Sequence, residues 1–251
     1  MTTWMRGVLA VAGVFAGAWL VSAGGQPNPA TKPEPRKDAK GWMDRHNSFV
    51  ELAKKGDVDV LFLGDSITAG WAGNGKKVWA DHFAPLKAAN FGIGGDRTQH
   101  VLWRITEGKE LEGITPKVAV LMIGTNNISS DSADEIAEGV TAIIAELRKQ
   151  KPKMKVLVLG VFPRSAKSGK DLKDVDTVAK GDMQPKVKAI NEKIAKLEDG
   201  KMVKYLDIGD KFLNKDGALT REIMPDFLHL SPKGYEIWGD AIKKPVEETL
   251  K

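Results

Sequence analysis

The 251-residue chain contains no cysteine. That excludes disulfides, thiolate metal sites, a cysteine nucleophile and lipidation of an N-terminal cysteine. Histidine is scarce as well: His46, His82, His100 and His229 are the four imidazoles available as a general base. Neither G-x-G-x-x-G nor G-x-x-x-x-G-K-[ST] occurs, so the two commonest phosphate-binding glycine loops are absent. Charge of one sign is not in large excess, the formal net charge being +5. The densest basic run, RKQKPKMK at residues 148–155, falls where a helix should end, and cations there complement the helix dipole. No nucleic-acid partner is expected.

Long hydrophobic runs are missing too, apart from one at the N-terminus. Residues 1–6 carry one positive charge, residues 7–21 are apolar, and Val21-Ser22-Ala23 has the small-residue pattern of a cleavage site. The segment 1–23 therefore reads as a signal peptide. It is short for a spanning helix, which needs about 20 apolar residues, so an uncleaved anchor is the weaker alternative. Cleavage after Ala23 would leave 251 − 23 = 228 residues with a net charge of +4. The expected location is secreted or periplasmic, without stable membrane insertion after cleavage. Residues 24–40 hold Pro27, Pro29, Pro33 and Pro35 and read as an extended, mobile linker. One domain should follow, from residue 41 to residue 251.

In that domain the runs 58–63 (VDVLFL), 118–123 (VAVLMI), 156–162 (VLVLGVF) and 203–206 (VKYL), with a weaker one at 88–91, read as strands buried on both faces. Between them Ile136, Val140, Ile143, Ile144 and Leu147 form an apolar helical stripe, opened by a Ser132/Glu135 capping box. Val187, Ile190, Ile194 and Leu197 repeat the spacing. Tyr235, Trp238 and Ile242 predict a C-terminal helix with Ser231 as N-cap, ended or kinked by Pro245. The alternation implies an α/β fold, with ligands bound beyond the C-terminal strand ends.

Chemistry-bearing residues gather at those ends. The first strand runs into Gly64-Asp65-Ser66, a serine at a strand-to-helix turn and so a candidate nucleophile. The second leads into Gly92-Ile93-Gly94-Gly95-Asp96, where the Gly95 N–H is a candidate oxyanion donor beside the Ser66 N–H. The third leads into Gly124-Thr125-Asn126-Asn127, where the Asn126 amide is another. Asp226-Phe227-Leu228-His229 supplies a base, with an aspartate spaced to orient it. His100, on a helix beside Val101 and Leu102, reads as a packed or capping residue. Asp65, Trp71 and Asn127 are candidates for substrate contact, Trp71 being equally a core aromatic. Together these residues fill every role acyl transfer needs, with no metal and no cofactor.

On these residues the sequence resembles the GDSL/SGNH hydrolase superfamily. Ser66, Gly95, Asn126, and Asp226 with His229 match its four blocks. The stretches 90–104 (NFGIGGDRTQHVLWR), 124–127 (GTNN), 159–164 (LGVFPR) and 226–230 (DFLHL) are most like the platelet-activating-factor acetylhydrolase catalytic-subunit type. The resemblance implies a three-layer α/β/α, flavodoxin-like fold with a central five-stranded parallel sheet. It also implies hydrolysis of short-chain, acetyl-type esters by a Ser66–His229–Asp226 triad, on a small-molecule or glycan ester, and a homodimer. Two departures stand out: the intracellular members of that subgroup lack a signal peptide, and residues 165–186 look longer here, reading as a solvated loop or a substrate-selecting lid. Three rival readings use the same residues: a lysophospholipase- or thioesterase-like hydrolase, an O-acyltransferase, and a non-catalytic glycan-binding module.

Overall fold

The computed structural model describes residues 27–37, 39–165, 177–178 and 183–251. The signal-peptide reading of residues 1–23 lies outside them, as does most of the 165–186 segment.

Five strands form one parallel sheet: β1 (Val60–Gly64), β2 (Ala88–Gly92), β3 (Val118–Met122), β4 (Lys155–Leu159) and β6 (Val203–Leu206), in the order β2-β1-β3-β4-β6. A separate antiparallel pair joins β5 (Thr177–Val178) to β7 (Leu219–Thr220). The aliphatic runs make a sheet because both faces are covered. Leu61, Leu63, Ala119, Leu121, Val156 and Val158 face one core, and Val60, Phe62, Val118, Val120, Leu157 and Leu159 the other. This is the period-2 alternation of a strand sandwiched between helix layers. The first core is closed by α1 (Trp42–Ala53), α4 (Thr98–Ile105), α5 (Ala133–Gln150) and α6 (Gln184–Ile194). The second is closed by α3 (Lys76–His82) and α7 (Pro232–Leu250). The three-layer architecture with a five-stranded parallel sheet is thus as the sequence implies.

Local signals hold in detail. Ser132 and Glu135 form the reciprocal capping box of α5, and Ser231 caps α7 with Pro232 in its first turn. Pro245 departs from expectation: α7 runs through it to Leu250, with Val246 fully buried beyond it. Burial of the following turn outweighs the one backbone hydrogen bond that proline forfeits.

The larger correction concerns the proline-rich segment 24–40, whose described part is a docked strap. Pro29–Thr31 forms a short 3-10 turn, with Asn28 and Ala30 buried. Asn28 donates through Nδ2 to the Glu135 carbonyl (3.1 Å) and to Glu138 Oε2 (2.8 Å). The Ala30 carbonyl accepts from Thr98 Oγ1 at 2.9 Å, and the Glu34 N–H donates to the Gln99 carbonyl at 3.2 Å. The strap seals the seam between α4 and α5 and ends beside the turn after β2.

Candidate active site

The order β2-β1-β3 puts the strand-order switch at β1, where the loops after neighbouring strands diverge and leave a crevice. At that point β1 feeds Asp65, then α2 (Ser66–Ala69) with Ser66 as its first residue. Asp65 caps this helix: its Oδ1 accepts the Ile67 N–H at 2.9 Å. A Cβ on Gly92, at the end of β2, would collide with the backbone nitrogen of Ala69, so α2 lies directly against bare backbone. The turn after β2 closes through the Asp96 N–H donating to the Ile93 carbonyl (3.2 Å), with Gly95 at φ +78°. A positive φ at the third position of such a turn is what glycine supplies without strain. Gly94 packs on the serine, a Cβ there falling 3.7 Å from Ser66 Cβ.

Asn126, in the 3-10 turn Thr125–Asn127 after β3, donates one amide hydrogen to the Asp96 carbonyl at 2.8 Å. That bond joins the two turns and leaves the second amide hydrogen for another acceptor. Arg164 holds the same turn from β4's side, its guanidinium 3.1 Å from the Thr125 carbonyl.

The loop before α7 supplies the candidate base, His229. Ser66 Oγ lies 2.9 Å from His229 Nε2, and His229 Nδ1 lies 2.7 Å from Asp226 Oδ2. Asp226 Oδ1 also accepts the backbone N–H groups of Leu228 (3.1 Å) and His229 (2.7 Å). Partial burial alone would raise the pKa of Asp226. The hydrogen bonds from the imidazole and the backbone N–H of His229, with that of Leu228, outweigh it and hold the carboxylate below its ordinary range. An ionised Asp226 fixes the tautomer that leaves Nε2 free to accept the serine proton. Between them Phe227 takes φ +56°, a left-handed turn stabilised by full burial of its ring. The His229 side chain is 46% exposed, so substrate can reach the base from solvent.

The structure therefore brings together Ser66, Gly95, Asn126, Asp226 and His229. Three other candidates are corrected. Trp71 is core, 1% exposed, among Phe62, Phe83, Tyr235 and Trp238. Asn127 is fully buried and structural: its Oδ1 accepts the Thr98 N–H that opens α4 (3.0 Å), and its Nδ2 donates to Asp131 (2.6 Å). Asp65 is fully buried beneath α2, and burial pushes its carboxyl up to about 7. It can cap the helix but cannot touch a substrate. His100 caps α4, its Nδ1 accepting the Arg97 N–H at 2.9 Å; burial drives it down to about 4, so it stays neutral.

Sequence reasoning missed the support under the candidate oxyanion turn. Asp96 is buried against Trp42 Nε1 (2.7 Å) and Arg104 Nε (3.0 Å), and Arg104 continues to Glu110 (3.0 Å), which meets His46 (2.7 Å). Arg36 of the strap donates to the Gly94 carbonyl at 2.6 Å and lies 3.4 Å from Asp96. The only advance signal was that Asp96 and Arg104 lie within the motif-bearing stretch 90–104.

A flavodoxin-ordered sheet with a serine, imidazole and carboxylate in line at its switch point defines an α/β protein of hydrolase type. Comparison with known families agrees: residues 62–237 match the GDSL-like Lipase/Acylhydrolase family, and the chain belongs to it. It is 39% identical over 231 residues to the platelet-activating factor acetylhydrolase IB subunit alpha2 of Rattus norvegicus, covering 90% of this chain and 92% of that protein. It is 37% identical over 215 residues to the alpha1 subunit of Homo sapiens, covering 84% and 86%. Among solved structures, a GDSL-like lipase from Bacteroides thetaiotaomicron superposes with a TM-score of 0.62 at 22% identity, covering 83% of this chain and 97% of that one. The lipase/acylhydrolase from Enterococcus faecalis gives 0.54 at 22% identity, with 77% and 97% covered. At those identities the superpositions speak for the fold alone.

Proposed function

We propose that this acylhydrolase-family protein is an exported serine esterase acting on short, acetyl-type esters of a carbohydrate or lipid. The observation that carries the reading is the Ser66–His229–Asp226 chain, at 2.9 and 2.7 Å, at the solvent-accessible C-terminal edge of the sheet. Ser66 Oγ attacks the ester carbonyl while His229 Nε2 takes its proton, and Asp226 stabilises the imidazolium. The developing oxyanion is met by the N–H groups of Ser66 and Gly95 and by the second amide hydrogen of Asn126. His229 then protonates the leaving alcohol. Water, deprotonated by the same imidazole, releases the acid and regenerates the serine. The acetyl group is favoured because the 37–39% identical relatives are named acetylhydrolase subunits. Export rests on the leader-like residues 1–23. Among the described residues, no helix is long and apolar enough to cross a membrane.

The test is hydrolysis of p-nitrophenyl acetate, butyrate and octanoate by wild type and Ser66→Ala. The expected outcome is acetate activity in wild type and none above background in the variant. Octanoate as the best substrate would favour the lysophospholipase-like alternative. Equal inertness of both proteins on all three esters would overturn the esterase reading.

A further inference from the structure

One motif-like stretch carries no step of the acyl transfer: 159–164 (LGVFPR), which leaves the sheet at the end of β4. Its last residue, Arg164, stands between two parts of the candidate site that have to act together. In a tetrahedral intermediate the imidazole of His229 and the amide of Asn126 serve one centre. Asn126 rides on the turn after β3, and His229 on the loop before α7.

Each part has its own anchor. The Asn126 turn is tied to the turn after β2, through the Asp96 carbonyl at 2.8 Å. The loop before α7 is tied towards α2 and the turn that follows it: Asn74 Nδ2 donates to the Leu230 carbonyl at 2.9 Å, and the Tyr235 hydroxyl to the Ile67 carbonyl at 2.5 Å. None of these bonds joins the Asn126 turn to the His229 loop, and residues 164 and 165 do. Arg164 Nη1 donates to the Thr125 carbonyl at 3.1 Å and lies 3.3 Å from Thr125 Oγ1, while its Nε donates to the Ser165 carbonyl at 3.1 Å. The Ser165 N–H in turn donates to the Phe227 carbonyl at 3.0 Å. Ser165 is buried, and Phe227 is the buried left-handed residue between Asp226 and His229. A guanidinium suits this position because its donors diverge from one rigid plane towards two separate carbonyls. An ammonium offers a single nitrogen and cannot hold both in that geometry. The charge reaches the reacting centre as well: it opposes the burial that raises the Asp65 carboxyl beneath Ser66.

We propose that Arg164 is a positioning residue: through the Ser165 peptide it clamps the loop carrying His229 to the turn carrying Asn126, so that base and oxyanion donor meet the same carbonyl. The assignment rests on the esterase reading and deepens it.

The test is a double-mutant cycle on p-nitrophenyl acetate hydrolysis. In Arg164→Lys, which keeps the charge and loses the fork, kcat falls by about 10–100-fold with KM changed by less than about twofold. In that background Asn126→Ala costs about tenfold less than the ~10²–10³ it costs in wild type, because the amide is already out of register. In Arg164→Ala, millimolar guanidinium chloride recovers kcat by about tenfold, and sodium chloride of equal ionic strength does not. Costs that simply multiply in the double variant overturn the clamp, as does a recovery that sodium chloride reproduces. Thermal unfolding is read alongside: loss of the fold in both Arg164 variants would make the residue a support of the fold alone and overturns the clamp too. A wild type inert on p-nitrophenyl acetate instead overturns the esterase reading.

Discussion

Beneath Ser66, Asp65 is a carboxyl group that accepts the Ile67 N–H, and its second oxygen is buried without a partner among the described residues. Burial, helped by the nearby Asp96 charge, raises it from 3.8 to about 7. The native state therefore holds a proton that the unfolded chain has released. Its contribution to stability is complete below pH 3.8 and is lost as the pH rises through about 7. The swing is on the order of 4 kcal/mol at about 1.4 kcal/mol per unit. Asp65→Asn keeps the acceptor and removes the titration. Urea unfolding at pH 4 and pH 8 should show the variant gaining on wild type by that order; parallel curves would sink the assignment. Asn126 acts on a different quantity. Asn126→Ala should lower kcat on p-nitrophenyl acetate by ~10²–10³ with little change in KM, the signature of a donor used in the transition state. The sequence motifs name Ser66, His229, Asp226 and Asn126 because chemistry dictates their type. They mislead on Asp65, Trp71 and Asn127, which share the motifs' neighbourhood in the chain but are buried by contacts with α4, α7 and the core.

At the scale of elements, the strap is the feature that composition hides. Prolines, small residues and charges are the mark of a linker, yet Asn28 finds its partners 107 and 110 residues away, at Glu135 and Glu138. No local pattern encodes such a contact. A chain beginning at residue 41 would lose several buried hydrogen bonds of about 1 kcal/mol each. It would also uncover Ala30's pocket and remove Arg36 from the oxyanion turn. Thermal unfolding of chains 24–251 and 41–251 should differ by on the order of 5–10 °C, and the shorter chain should have the lower kcat. Under the same turn, Arg104 joins Asp96 to Glu110 out of reach of water. Arg104→Ala strands two buried carboxylates and should destabilise by about 3–5 kcal/mol, read from the shift in urea midpoint. The strands and the capped helices were legible because burial on both faces and caps write themselves into short windows; the strap and this ionic cluster are assembled across the whole chain.

For the whole molecule, the proposed leader cleavage lies close in the chain to the first described residues of the strap. Cleavage after Ala23 would leave four residues before Asn28, the first buried side chain among the described residues of the strap. On the proposed export reading the protein should start at Gly24, a result that intact-mass measurement or N-terminal sequencing can establish. Retention of the leader would favour an anchored form. The two cores also divide the labour: α1, α4, α5 and the strap support the turns after β2 and β3, whereas α3 and α7 support the loop that carries His229. Between them, α2 rests on Gly92 with no side chain interposed. The height of the nucleophile above the sheet is thus set by peptide thickness and not by the size of any core residue. Core substitutions accumulated over evolution can resize the cavities on either side while the serine keeps its place, so selectivity in this scaffold can drift without realigning the reaction.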